Sequence, residues 1–165
     1  MKQLKTLVFA IVAFLGFQTA NAQAKVAHVD VNELMGKMPA IIEAQKQLQT
    51  LSDTYSAEYK KMIDEYQAKI KKYDAEAATV TDAVNQTRQQ EVQDMAKRIG
   101  DYQENAQKDL QKKESDLMKP LTEKIKASIQ KVGKAKGFQY VIDINTALLA
   151  DGPDLTADVK KDLGF

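Results

Sequence analysis

The chain has 165 residues, 24 Lys or Arg against 23 Asp or Glu, no Cys, no Trp, 3 Pro and 7 Gly. The near-zero net charge argues against a partner gripped through nucleic-acid phosphates, and the lack of Cys excludes disulfides, thiolate metal sites and cysteine nucleophiles. With one His (His28) there is no histidine cluster for metal or catalysis either. The composition is that of long solvated helices, with no cofactor and no enzyme chemistry implied.

Residues 1–22 read as an export signal. Lys2 and Lys5 precede an apolar run, Leu7–Phe17, and Ala20-Asn21-Ala22 fits the small-x-small pattern, which predicts cleavage after Ala22. The apolar run is too short for a membrane-spanning helix, which needs about 20 residues. Losing two lysines leaves 22 basic residues against 23 acidic ones, a net charge of −1 on a chain that works outside the cytoplasm.

Lys25–Val31 follows as a short β-rich run, bounded by the turn-prone Asn32 and Gly36. From Ala40 an apolar stripe steps by three or four residues through Ile41, Ala44, Leu48, Leu51, Tyr55, Tyr59, Met62, Tyr66, Ile70, Tyr73 and Ala77. Its repeat of eleven (Leu48, Tyr59, Ile70) predicts a nearly straight helix pair rather than a left-handed supercoil. A second stripe runs from Val84 through Val92, Met95, Ile99, Tyr102 and Leu110 to Val132, interrupted by Arg88 and Lys113. The polar, β-branched stretch between them predicts a reversal near 78–86, with Thr79 or Thr81 capping the second helix. The alternative is one continuous helix of about 90 residues, and the reversal is preferred because it brings the two β-rich ends of the chain together. Glu65–Lys69, Asp94–Arg98, Glu104–Lys108 and Asp109–Lys113 have the favourable i,i+4 order of acid before base.

From Gly133 the texture changes to strand, turn, strand, turn, helix. Phe138, Tyr140 and Ile142 alternate on one face, opposite Gln139, Val141 and Asp143. Asp143–Thr146 reads as a hairpin turn, with Asn145 able to tolerate the left-handed conformation. Gly152-Pro153 turns the chain, and Asp154 or Thr156 caps a last helix to Leu163. The organisation is then an arm, 40–132, and a β-rich body of two pieces, 23–39 and 133–165. About 50 residues with short strands bury little core by themselves, which predicts oligomerisation through the body. The candidate residues are Val26, Val29, Val31, Phe138, Tyr140, Ile142, Leu148 and Leu149.

The segments Lys25-Val26-Ala27-His28-Val29-Asp30, Tyr140-Val141-Ile142-Asp143-Ile144-Asn145 and Asp154-Leu155-Thr156-Ala157-Asp158-Val159, placed around a long charged hairpin, resemble the Skp/OmpH family of periplasmic chaperones. The resemblance implies a mainly α fold with a small β body, assembled as a homotrimer whose hairpins project like tentacles around a cavity. It also implies a periplasmic, ATP-independent activity that holds unfolded outer membrane proteins. Well-known members are strongly basic and this chain is not, so any contact with membrane or lipopolysaccharide is weak. Tyr55, Tyr59, Met62, Tyr66, Tyr73, Met95 and Tyr102 have two readings: filling the seam between the helices, and offering exposed rims to a client chain. The competing functional class is a structural or adaptor coiled coil of the cell envelope that binds one folded partner.

Overall fold

The computed structural model describes residues 24–165, so the export-signal reading of residues 1–22 lies outside the described residues. In chain order the elements are β1 (Val26–Val29), α1 (Val31–Lys37), α2 (Pro39–Glu76), a 3-10 turn (Ala77–Thr79), α3 (Asp82–Ala135), β2 (Tyr140–Asp143), a second 3-10 turn (Ile144–Thr146) and α4 (Thr156–Leu163). At 1.5 Å per residue α2 is about 57 Å long and α3 about 81 Å. They pack antiparallel as a hairpin, and α3 runs on past the start of α2 into the body.

The hairpin tip is tighter than the polar stretch suggests. The chain reverses between Ala77 and Thr81, and the Thr81 hydroxyl accepts from the Val84 amide (3.4 Å) to start α3. Thr79 is used differently, donating its hydroxyl to the Glu76 carbonyl (2.8 Å). Pro120 lies inside α3 without breaking it.

The Asn32–Gly36 stretch is not a turn but the helix α1. Asp30 caps it, its carboxylate accepting from the Glu33 amide (2.9 Å). Met38 then separates α1 from α2 in an extended conformation (φ −69, ψ 116). Pro39 explains the break, because a residue before proline is pushed out of the helical region while proline suits the first helical position.

β1 and β2 pair in parallel, with Val26 opposite Tyr140 and Val29 opposite Asp143, so the whole hairpin is their crossover connection. On its other side β1 is flanked by the later chain: the His28 amide donates to the Pro153 carbonyl (3.0 Å), and the Leu155 amide to the His28 carbonyl (2.9 Å). The core holds Ala27 and Val29 of β1, Leu34 of α1, Met38, Ile41 of α2, Ile125 and Val132 of α3, and Leu155 and Val159 beside and within α4. The body thus recruits the roots of both long helices, and its core is larger than the two β-rich pieces alone provide.

Val141 of β2 turns toward the helices, where its Cγ2 would lie 2.7 Å from a Cβ on Gly133 of α3, while Tyr140 stays exposed. Glycine at 133 is what lets β2 approach that closely. Two expectations for the C-terminal piece are corrected. First, no strand follows the turn: Ala147–Ala150 is irregular, and Leu148 is fully exposed. The Asp143 carboxylate accepts from the Asn145 amide (3.1 Å) and side chain (2.9 Å), winding the chain into a 3-10 turn instead of a hairpin. Second, Asn145 does not use the left-handed conformation it could tolerate, since among the described residues only glycines have positive φ. The last helix does reach Leu163, with the Asp154 carboxylate accepting from the Thr156 amide (2.8 Å).

Candidate functional site

Two surfaces stand out, one along the hairpin and one on the body. Along the hairpin, Tyr55, Tyr59, Met62, Tyr66 and Tyr73 of α2 and Met95 and Tyr102 of α3 are all half-buried in the seam. Tyr55 and Tyr102 meet edge to face with ring centroids 6.1 Å apart, a preferred aromatic geometry. The Tyr55 hydroxyl donates to Asp109 (2.6 Å), and that of Tyr73 to Glu91. Both hydroxyls are held up out of their ordinary range, first by these hydrogen bonds to carboxylates. The rings therefore sit with their polar ends tethered across the seam.

Arg88, which interrupts the second stripe, bonds Glu76 (2.6 Å) and lies over the Tyr73 ring, 4.5 Å from its centroid. A cation in the seam is thus accommodated by a carboxylate and a π face. Glu91 also accepts from Lys69, and its carboxyl is held below its ordinary value first by Lys69 and then by Tyr73. Lys69 consequently reaches across the hairpin rather than back to Glu65. Of the four i,i+4 pairs read from spacing, only Glu104–Lys108 forms among the described residues. Asp109 serves Tyr55 instead, and Asp94 accepts from Gln90 (2.9 Å). On exposed helices such pairs contribute only about 0.2–0.5 kcal/mol, so a better acceptor or donor across the seam wins.

On the body, Val26, Tyr140, Ile144, Leu148 and Leu149 are exposed, Leu149 at 83% and Tyr140 at 61%. Val31 and Phe138 pack partly against the protomer's own core, Ile142 is half-buried, and Val29 is buried at 2%. Of the eight body residues picked from sequence, Val26, Tyr140, Leu148 and Leu149 are therefore the ones that remain uncovered. Ile144 belongs with them and was missed, because it was read as part of a turn.

A polar network holds this surface to α1 and α4. The Asp30 amide donates to the Thr156 hydroxyl (2.9 Å), and the Asp30 carboxylate accepts from Asn145 (2.9 Å), which with the Glu33 amide holds its acid form off below the usual range. Glu33 accepts from Lys160 and Lys37, and Asp162 from Lys131 and Ser128; both carboxyls are lowered by those bonds. The Asp30-x-x-Glu33 spacing is a helix-start signal in the sequence that the turn-prone Asn32 and Gly36 outweigh in a local reading.

Among the described residues no group of three or more His, Asp or Glu is placed to hold a metal, and no helix is long and apolar enough to cross a membrane. A slender helical hairpin stands on a small body, with its aromatic residues half-buried along the seam between the two long helices. The chain belongs to the OmpH-like outer membrane protein family, whose model matches residues 25–163. It is similar to the chaperone protein Skp of Photorhabdus luminescens, 27% identical over 146 residues that cover 87% of this chain and 88% of that one. It is also similar to the chaperone protein Skp of Pectobacterium atrosepticum, at 23% over 146 residues covering 87% and 88%. The family is one of chaperones, not of enzymes. In fold it matches the crystal structure of an OmpH-like outer membrane chaperone from Caulobacter crescentus, with a TM-score of 0.76 and 18% identity over 85% of this chain and 83% of that one.

Proposed function

We propose that the protein is an ATP-independent holdase of the periplasm, exported by the segment 1–22 and assembled as a homotrimer. Hairpin arms of three copies surround a cavity that takes up unfolded outer membrane proteins and keeps them from aggregating on the way to the outer membrane. The observation that carries this reading is the pairing of a long accessible hairpin seam with an uncovered apolar patch on the body, in a member of a chaperone family. Val26, Tyr140, Ile144, Leu148 and Leu149 are the residues we assign to the contact between copies, and the tyrosine and methionine rims of the seam to the client. Assembly gives the arms their effect: many weak contacts on neighbouring hairpins act at high effective concentration on one client chain. Release then needs no nucleotide, because each contact is weak and the client's own folding into a bilayer competes with all of them.

The test is aggregation of a denatured outer membrane β-barrel diluted from urea, followed by light scattering. Stoichiometric trimer is expected to hold scattering near baseline without ATP. Unslowed aggregation in the presence of intact trimer overturns the proposal.

A further inference from the structure

The hairpin carries two clefts at equivalent positions on one edge. The first, about 350 Å³, lies between Ser52–Tyr59 of α2 and Tyr102–Leu110 of α3. The second, about 390 Å³, lies nearer the tip, between Ile70–Ala77 and Asn85–Gln93. A shift of 18 residues carries one onto the other: Tyr55 onto Tyr73 in α2, and Leu110 onto Val92 and Gln107 onto Gln89 in α3. Eighteen residues are about five whole turns, so both clefts face the same way about 27 Å apart. The tethers repeat with the same shift, Tyr55 to Asp109 and Tyr73 to Glu91. Helical spacing puts those two acids, with Lys69, on the opposite edge of the seam.

The two edges therefore differ in chemistry. The edge away from the clefts carries charged contacts. The first cleft is lined by no charged residue, and the second only by Asp74 and Arg88, of which Arg88 is paired with Glu76. Between the clefts the same face of α3 shows exposed Ala96 and Gly100, with open space above Gly100 where another backbone can lie close.

We propose that this edge holds one extended, uncharged strand segment across both clefts, with apolar side chains seated in the two clefts and the amides of Gln107 and Gln89 bonding its backbone. The spacing supports this occupant. At about 3.3 Å per residue, 27 Å is about eight residues, an even number, so both anchors fall on one face of an alternating strand. Membrane-spanning β-strands are about 9–11 residues long and alternate in this way. An edge whose clefts carry only Asp74 and the Glu76-paired Arg88 makes the capture only weakly sensitive to salt, unlike a densely charged one. The inference rests on the client reading above and adds where, and in what form, a client segment lies.

The experiment measures fluorescence anisotropy of two labelled uncharged peptides of about a dozen residues with the full chain, one with bulky apolar residues about eight apart and one with them about five apart. Tighter binding of the first peptide is expected, with little change between low and high salt. Gln107→Glu with Gln89→Glu, at exposed helical positions, is expected to weaken it about tenfold, while Lys72→Gln on the charged side leaves it unchanged. Equal binding of the two peptides, a steep loss with salt, or an unaffected double variant overturns the inference. Light scattering with the denatured barrel is run in parallel. If the wild-type chain suppresses aggregation but the peptide results fail, only this inference falls; if it does not suppress aggregation, the chaperone reading falls.

Discussion

Gly133→Ala probes how β2 is seated on α3. Inside a helix, alanine in place of glycine is worth about 0.8–1 kcal/mol in favour of the folded state. Against this stands a Cβ placed 2.7 Å from Val141 Cγ2. Val141 is β-branched and stiff at χ1, and it pairs across the sheet with Ala27, which is 1% exposed, so it has little room to yield. Overpacking of this kind costs about 1–3 kcal/mol, which leaves a net loss of about 1 kcal/mol. In a Val141→Ala background the obstruction is gone, and the same glycine replacement is expected to stabilise by up to about 1 kcal/mol. The sign of the effect thus reverses, a coupling of about 2 kcal/mol in a double-mutant cycle. Urea unfolding at one fixed protein concentration measures all four variants, the concentration being held because assembly contributes to apparent stability. A stabilised Gly133→Ala in the wild-type background, or additive effects, refutes the tight seating.

Leu34, 0% exposed at the centre of the core, should lose about 2–5 kcal/mol as Leu34→Ala, read from the urea midpoint. Leu148→Ser with Leu149→Ser, by contrast, should leave secondary structure unchanged by circular dichroism while shifting sedimentation equilibrium toward the monomer, since both side chains are exposed in the single chain. Stability should fall in acid. Asp30, Glu33 and Asp162 have folded carboxyls held below their ordinary 3.8 and 4.5, so their contribution is whole above those values and is lost as pH drops through the lower folded ones. The urea midpoint should therefore decline below about pH 4.5, and Asp30→Asn should flatten that decline.

The hairpin was legible because two stripes with 3.6-residue period extend over many turns, and every position from Ile41 to Tyr73 that the first stripe named is at least half-buried. Periodicity averages over such lengths, so the interruptions at Arg88 and Lys113 did not obscure it. The body was harder to read. Val31–Lys37 contains Asn32 and Gly36, which argue for a turn locally, yet Leu34 is drawn fully into the core and tertiary packing overrides that propensity. Four residues alternate equally well in either phase, so alternation alone does not say which face of β2 meets the helices; the deciding fact, the glycine at 133 eight residues before Val141, shows only when strand and helix lie side by side. The pairwise charges failed for a similar reason: spacing along one helix says nothing about the partners offered by the other. Nor does a stripe reveal that its two edges differ, which depends on which residues of α3 stand beside those of α2.

Because β1 and β2 lie on opposite sides of the whole hairpin, their first contact joins residues such as His28 and Ile142 that begin far apart along the chain. Closing so long a loop directly carries a large entropic cost and slows folding. Zipping from Ala77–Thr81 toward the roots shortens that loop turn by turn, until only a few residues separate the strands. The rods are in that sense a guide rail for the termini, and the sheet can be completed only after the last part of the polypeptide has emerged.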